Sequence, residues 1–345
     1  NNWDGTSRVC PVVSVPDHYA ISHGSTGVTC EGAQITVTAH DASHAAFTVS
    51  SDTALTVTTT PSVDAIVSSP ATILSGASST TFYLHESDAA DTPNIDIDVT
   101  DGTATDPDDA GSEDSVFNFV DTASQFYVDG VPTDDIGVQI AGKSSADTPG
   151  EQTLTLKAIR TDDDTGECEA ALQNITTSVG IAYECNNPTT CTGSNLLSVV
   201  ADSTATVSRN DNNTTPLSYT DVDMAFDING FAPFTFNYSD AGQVTLHAQK
   251  TVDASLPNPA FTLSGSSNAF VTRPFGFYLD FADPNAYAAD FSESVFAVAG
   301  NNFSMNIKAV LWDEDEDDTP NDGIPDSDAD LSNNAIANNF GEGIE

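Results

Sequence analysis

Ile95-Asp96-Ile97-Asp98-Val99-Thr100-Asp101-Gly102 decides the fold class. Successive side chains of a strand point to opposite faces. This octet therefore sets Ile95, Ile97 and Val99 on one face and Asp96, Asp98 and Thr100 on the other. Asp101-Gly102 then supplies the turn. The same period of two recurs along the chain. Ile35, Val37 and Ala39 alternate with Thr36, Thr38 and His40, and Leu154, Leu156 and Ala158 alternate with Thr155, Lys157 and Ile159. Phe234, Phe236 and Tyr238 share a face, as do Val244, Leu246 and Ala248. Phe275, Phe277, Leu279 and Phe281 form one apolar face, and Phe303, Met305, Ile307, Ala309 and Leu311 another. Asp129-Gly130, Asp162-Asp163-Asp164-Thr165-Gly166 and Asn229-Gly230 fall between runs as turns. Helical periodicity is nearly absent. The pattern predicts an all-β protein of tandem Ig-like β-sandwich domains, with antiparallel sheets wet on one side.

The outward positions carry the charge. Across 345 residues there are 52 Asp+Glu and 8 Lys+Arg, a formal net charge of −44. So few cations cannot displace counterions from a phosphate backbone, which excludes nucleic acid as a partner. They cannot hold the chain on anionic lipid either. Hydrophobic residues at 39% are enough for packed cores. No apolar run approaches the length of a membrane span, so no direct membrane insertion is expected. No secretory leader is recognised, so the chain reads as a mature or trimmed product. Asn1-Asn2-Trp3-Asp4-Gly5 is not the long apolar helix that opens a type IV pilin.

Three units are expected. Residues 1–109 read as one sandwich, with a linker or long loop from Asp106 to Glu113. Residues 110–271 form a larger Ig-like region, and 272–345 a partial β unit. So short a β unit seldom stands alone. Either the natural chain continues, or another subunit supplies strands.

Of five cysteines, Cys185 and Cys191 flank a five-residue loop that a disulfide could staple, and Cys10 with Cys30 could close a second ring. Cys168 is then the odd thiol, unless the pairing differs. Low Lys, abundant Ser, Thr and Asp, and candidate disulfides together point to an oxidising exterior.

Several strings carry a family resemblance. They are His18-Tyr19-Ala20-Ile21-Ser22-His23 with Gly27-Val28-Thr29-Cys30, Thr38-Ala39-His40-Asp41-Ala42-Ser43-His44, the octet 95–102, and Gln139-Ile140-Ala141-Gly142-Lys143. Further along come residues 183–191, 232–238, Arg273-Pro274-Phe275-Gly276-Phe277 and Asn321-Asp322-Gly323-Ile324-Pro325-Asp326. In this order, over nearly the whole chain, they resemble the MshQ family, which is associated with biogenesis of the mannose-sensitive haemagglutinin type IV pilus. The resemblance implies a large secreted protein at the surface of a Gram-negative bacterium, with a shared domain of unassigned activity. A lectin-like sandwich that often precedes that domain is not found here, so its glycan binding is not carried over.

Asp313 to Asp330 holds ten carboxylates and no cation. Such a run repels itself unless protons or cations neutralise it. Ca²⁺ takes many hard oxygen ligands in irregular loops, and Asp318, Asn321, Asp322, Asp326, Asp328 and Asp330 are the candidate ligands around a turn at Gly323. As an EF-hand the match is partial: from Asp318 as position 1, Gly323 falls at 6, but Pro320 stands at 3 and Ala329 at 12. The spacing is closer to Asp-rich thrombospondin-type calcium repeats, with a solvated acidic loop as the alternative.

From Glu86 to Asp114 eleven carboxylates fall in 29 residues, read as a solvated face. Asp221 and Asp223 sit on one strand face and would serve only the least favoured reading, a polysaccharide hydrolase. His40 and His44 on a strand would lie about 13 Å apart, too far to chelate one metal, so the histidines read as surface or core residues. Sequons at Asn174, Asn212, Asn213, Asn237 and Asn302 read as chance. No nucleophile–base motif occurs, and no enzyme activity is expected. The leading expectation is an extracellular structural or adhesive protein, assembling into a fibre by β-strand complementation through self-association or other surface and pilus proteins. The alternative is a pilus-associated tip adhesin that binds glycans.

Overall fold

The computed structural model describes residues 15–340, apart from 25, 68–70, 89–93, 108–116, 132–134, 148–150, 163, 194–196, 255–259, 282–299 and 318–320. Among the described residues there is no α-helix, and a single 3₁₀ turn spans Glu314–Glu316. The chain divides into two compact units, Asn1–Asp121 with Arg160–Cys168, and Thr122–Ile159 with Glu169–Glu345.

In the first unit a four-stranded antiparallel sheet runs in the order His18–Ser22, Ala33–His40, Ser79–His85, Ala65–Val67. A three-stranded sheet places Thr53–Thr60 between Ala71–Ile73 and Asp96–Thr100. Their inward residues form one core, with Ile35, Val37, Phe82 and Leu84 from one sheet and Leu55, Ile73, Ile97 and Val99 from the other. That makes the unit a β-sandwich. Asp96 and Asp98 face solvent, as the alternation requires. Asp106, the first residue of the expected linker, is buried, and its carboxylate accepts from Val99 N at 2.6 Å. Most of that linker lies outside the described residues.

The second unit is a larger sandwich. One six-stranded sheet runs Thr122–Val128, Leu154–Thr161, Phe231–Tyr238, Leu197–Val200, Thr204–Thr206, with Cys168–Ala170 beside Leu154–Thr161. The other runs Gln139–Ile140, Phe261–Arg273, Gly242–Val252, Ile175–Asn187, Ser208–Asp211, with Thr220–Phe226 also paired to Ile175–Asn187. Two of these pairings are parallel rather than antiparallel, Gln139–Ile140 on Phe261–Arg273 and Ser208–Asp211 on Ile175–Asn187. Between the sheets pack Phe126, Leu156, Tyr183, Phe236, Leu246 and Phe270, with the aromatic rings in tilted and edge-on contacts. Each such side chain contributes about 1.5–3 kcal/mol by leaving water. Gly265 permits a close approach between strands: a methyl there would collide with the carbonyl oxygen of Ser124.

After Arg273 the chain forms a two-stranded antiparallel ribbon, Gly276–Phe281 on Met305–Val310. It belongs to the same compact unit as the larger sandwich. The apolar residues do share one face, because Leu279 pairs with Ile307 and Phe281 with Met305. Yet Phe277, Leu279, Met305 and Ile307 are all exposed among the described residues, with Phe277 edge-on to Phe340 at 5.2 Å.

The disulfides correct one expectation. Cys185 pairs with Cys191. Cys30 pairs not with Cys10, which lies outside the described residues, but with Cys168, 138 residues away. The cause is tertiary. Thr29 Oγ1 meets both Asp121 Oδ1 at 2.9 Å and Thr161 Oγ1 at 2.6 Å, and Thr161 N donates to Asp121 O at 2.8 Å. This network draws the Arg160–Cys168 segment against Cys30 and leaves their Cα atoms 5.0 Å apart, within disulfide reach.

Candidate functional site

Two clusters of polar side chains stand out, one in each unit. In the second unit, a turn at Gly142, whose φ is 87°, follows Gln139–Ile140 and directs Lys143 inward. Its side chain is 1% exposed, and its Nζ lies 3.0 Å from Asp317 Oδ2, on a side chain exposed by 0%. Nζ also donates to Asn321 Oδ1 and sits 5.1 Å over the Trp312 ring. The Asp317 carboxylate further accepts from Trp312 Nε1 at 2.7 Å, Gly323 N at 3.0 Å and Asp322 N at 3.0 Å. Burial alone would raise its pKa, but the hydrogen bonds from Lys143, Trp312 and Gly323 outweigh burial and hold it below the ordinary carboxylate value. Arg273 Nη2 donates to Gly323 O at 2.9 Å and pins the same turn.

The acidic segment is thus neutralised in part by a lysine 174 residues upstream. The described residues among the six expected calcium ligands lie around this anchor. Asn321 is taken by Lys143, and Asp322 Oδ1 caps its own turn by accepting from Ile324 N at 3.0 Å. Asp326 N donates to Glu316 O at 2.9 Å, Asp330 N donates to Glu316 Oε2 at 2.7 Å, and Asp328 is exposed. Asp318 lies outside the described residues. Gly323 does make the expected sharp turn, with φ 73°. Among the described residues, no three carboxylates of this segment converge on one point. Asp221 and Asp223 are exposed on the strand Thr220–Phe226.

The first unit brings together what the sequence reading held apart. His18 and His40 are directly opposed cross-strand partners. The strand does not continue past His40. Asp41 Oδ1 accepts from Ser43 N at 2.9 Å, Ser43 Oγ at 2.6 Å and Ala45 N at 3.1 Å, an aspartate-capped turn. The chain reverses, and Ala46 bridges back to His40. His44 takes the left-handed conformation, φ 62°, and its ring folds over the strand. Its Nδ1 lies 3.1 Å from His18 Nε2, and one ring nitrogen from each of His18, His40 and His44 falls within 4.8 Å of the others. The expected separation of His40 and His44 is therefore corrected, because its premise was a continuing strand. The local signal was present in His40-Asp41-Ala42-Ser43-His44, a turn-forming aspartate and serine enclosed by two histidines.

The His18 side chain is 8% exposed, and its Nδ1 meets Asp17 Oδ2 at 3.2 Å. His40 is held below its ordinary pKa, by burial first and then by His18 and His44 beside it, with Asp41 opposing. One nitrogen of each of the three rings thus borders a common space.

Residues 104–266 match the family model described as domain of unknown function DUF6701, first Ig-like domain, and residues 273–344 match DUF6701, second domain. No curated protein sequence matches the chain. Among solved structures, the chain is similar to the D0-D1 domain of intimin, at 13% identity over 74% of this chain and 98% of that one, TM-score 0.29. The D00-D0 domain of intimin aligns at 11% identity over 74% and 98%, TM-score 0.20. A marsupial T cell receptor aligns at 11% identity over 78% and 77%, TM-score 0.21. The chain carries two DUF6701 domains in tandem.

Proposed function

We propose that this protein, with its tandem DUF6701 domains, is a structural and adhesive element of a Gram-negative bacterial cell surface, joined to neighbouring chains by β-strand complementation. The observation that carries the reading is the apolar face of the C-terminal ribbon, where Phe277 is exposed by 50% and Ile307 by 61%. A two-stranded ribbon with such a face is marginal alone and gains stability when another β segment covers it. The opposite face is polar, with Lys308 Nζ 2.7 Å from Asp280 Oδ2. Two disulfides suit an oxidising compartment, as does the resemblance to the MshQ family. Electron microscopy and sedimentation of the purified chain test the reading. Wild type should form multimers or filaments that Ile307→Lys disperses. Monodisperse wild-type monomers at high concentration would remove it.

Calcium clamping of the acidic segment belongs to the same proposal, supported by its ten carboxylates. Calorimetry on EDTA-treated protein should show Ca²⁺ uptake that Asp322→Ala with Asp326→Ala abolishes. If millimolar Ca²⁺ gives no heat, Lys143 alone serves the segment and calcium leaves the proposal.

A further inference from the structure

We propose that His18, His40 and His44 form a binding site for a divalent transition-metal ion of the Zn²⁺ class. Three observations converge. The first is geometric. A tetrahedral ion with Zn–N bonds of about 2.0–2.1 Å spaces neighbouring ligand atoms ~3.3 Å apart, and His18 Nε2 and His44 Nδ1 already stand 3.1 Å apart. A nitrogen of His40 lies within 4.8 Å of both.

The second is orientation. His18 Nδ1 faces Asp17 Oδ2 at 3.2 Å, and in the tautomer that donates this hydrogen bond its Nε2, 3.1 Å from His44 Nδ1, is the basic atom. A carboxylate behind a ligating histidine fixes its tautomer and makes it a better donor.

The third is the backbone. A left-handed conformation is unfavourable for a non-glycine residue. His44 adopts it in a turn held by three hydrogen bonds to Asp41. That conformation brings its ring to His18.

The donor set defines the ligand class. Three imidazoles without a thiolate suit Zn²⁺, Ni²⁺ or Cu²⁺ rather than the hard cations that prefer oxygen. Three protein ligands leave a fourth position for water or another donor. His44 is exposed, so this position is reached from solvent. His23, which hydrogen-bonds Gly24 O at 2.6 Å and stands edge-on to Phe117, is outside the trio.

The test is titration of the full untagged chain, stripped with EDTA, with Zn²⁺ alone, followed by calorimetry. Co²⁺ serves as a spectroscopic probe of nitrogen ligation. One high-affinity ion per chain is expected, with the visible bands of a low-coordinate Co²⁺ site. His44→Ala, in an exposed turn, should remove both signals while circular dichroism is unchanged. Asp17→Asn should weaken Zn²⁺ about 10–100-fold, and His23→Ala should change nothing. Zn²⁺ uptake that His44→Ala and His40→Ala leave intact would place the ion on the carboxylates and overturn the assignment, as would no uptake at all.

Discussion

Lys143 and Asp317 each depend on the other at the level of single residues. Both are buried, so removing one leaves an uncompensated charge in a medium that cannot solvate it. Lys143→Met should cost about 3–5 kcal/mol in urea unfolding. The pair Lys143→Met with Asp317→Asn should recover part of that loss, because the charge and its counter-charge leave together while an amide oxygen still accepts from the neighbouring N–H groups. A single variant no less stable than wild type would show that the pair carries no such dependence. The pH dependence follows from the depressed carboxyl. An aspartate whose folded pKa lies below its unfolded value of ~3.9 stabilises the fold above that value. That contribution is lost as pH falls through the folded pKa. Acid unfolding should therefore be shallower for the double variant than for wild type below about pH 4.

Among elements, strands were legible and their partners less so. The octet 95–102 read correctly because alternation is a local property: Ile95, Ile97 and Val99 are buried and Asp96 and Asp98 exposed, as written. The His40–His44 contact was illegible to the same rule, because one aspartate-capped turn breaks the period and reverses the chain. The link from Cys30 to Cys168 could not be read from spacing, since it is set by packing across 138 residues. Lys143 was hidden for the same reason: nothing near Asp317 in sequence announces a cation. Disulfides that close long loops restrict the unfolded chain most, though measured gains vary. Cys168→Ala with Cys30→Ala should destabilise the first unit by roughly 2–5 kcal/mol. Calorimetry of the oxidised wild type and the double variant checks this, and equal melting temperatures would refute it.

For the whole molecule, the charge of −44 acts on association more than on fold. Two copies repel at low ionic strength, and salt shortens the range of that repulsion from about 30 Å at 0.01 M to about 8 Å at 0.15 M. If exposed apolar faces such as that around Ile307 join copies, assembly should strengthen as salt rises. Light scattering across a salt series reads this directly, and dissociation by salt would mean that charge pairing, not the apolar face, holds copies together.

The Lys143–Asp317 pair also sets an order in time. A chain that emerges amino end first presents Lys143 long before Asp317, which follows 174 residues later. Until then the ammonium lacks the buried carboxylate that pairs with it in the finished fold. The larger sandwich therefore cannot close around that lysine strand by strand as it is made. It stays open at this corner until the acidic segment arrives, so a later part of the chain completes a site that an earlier part had begun.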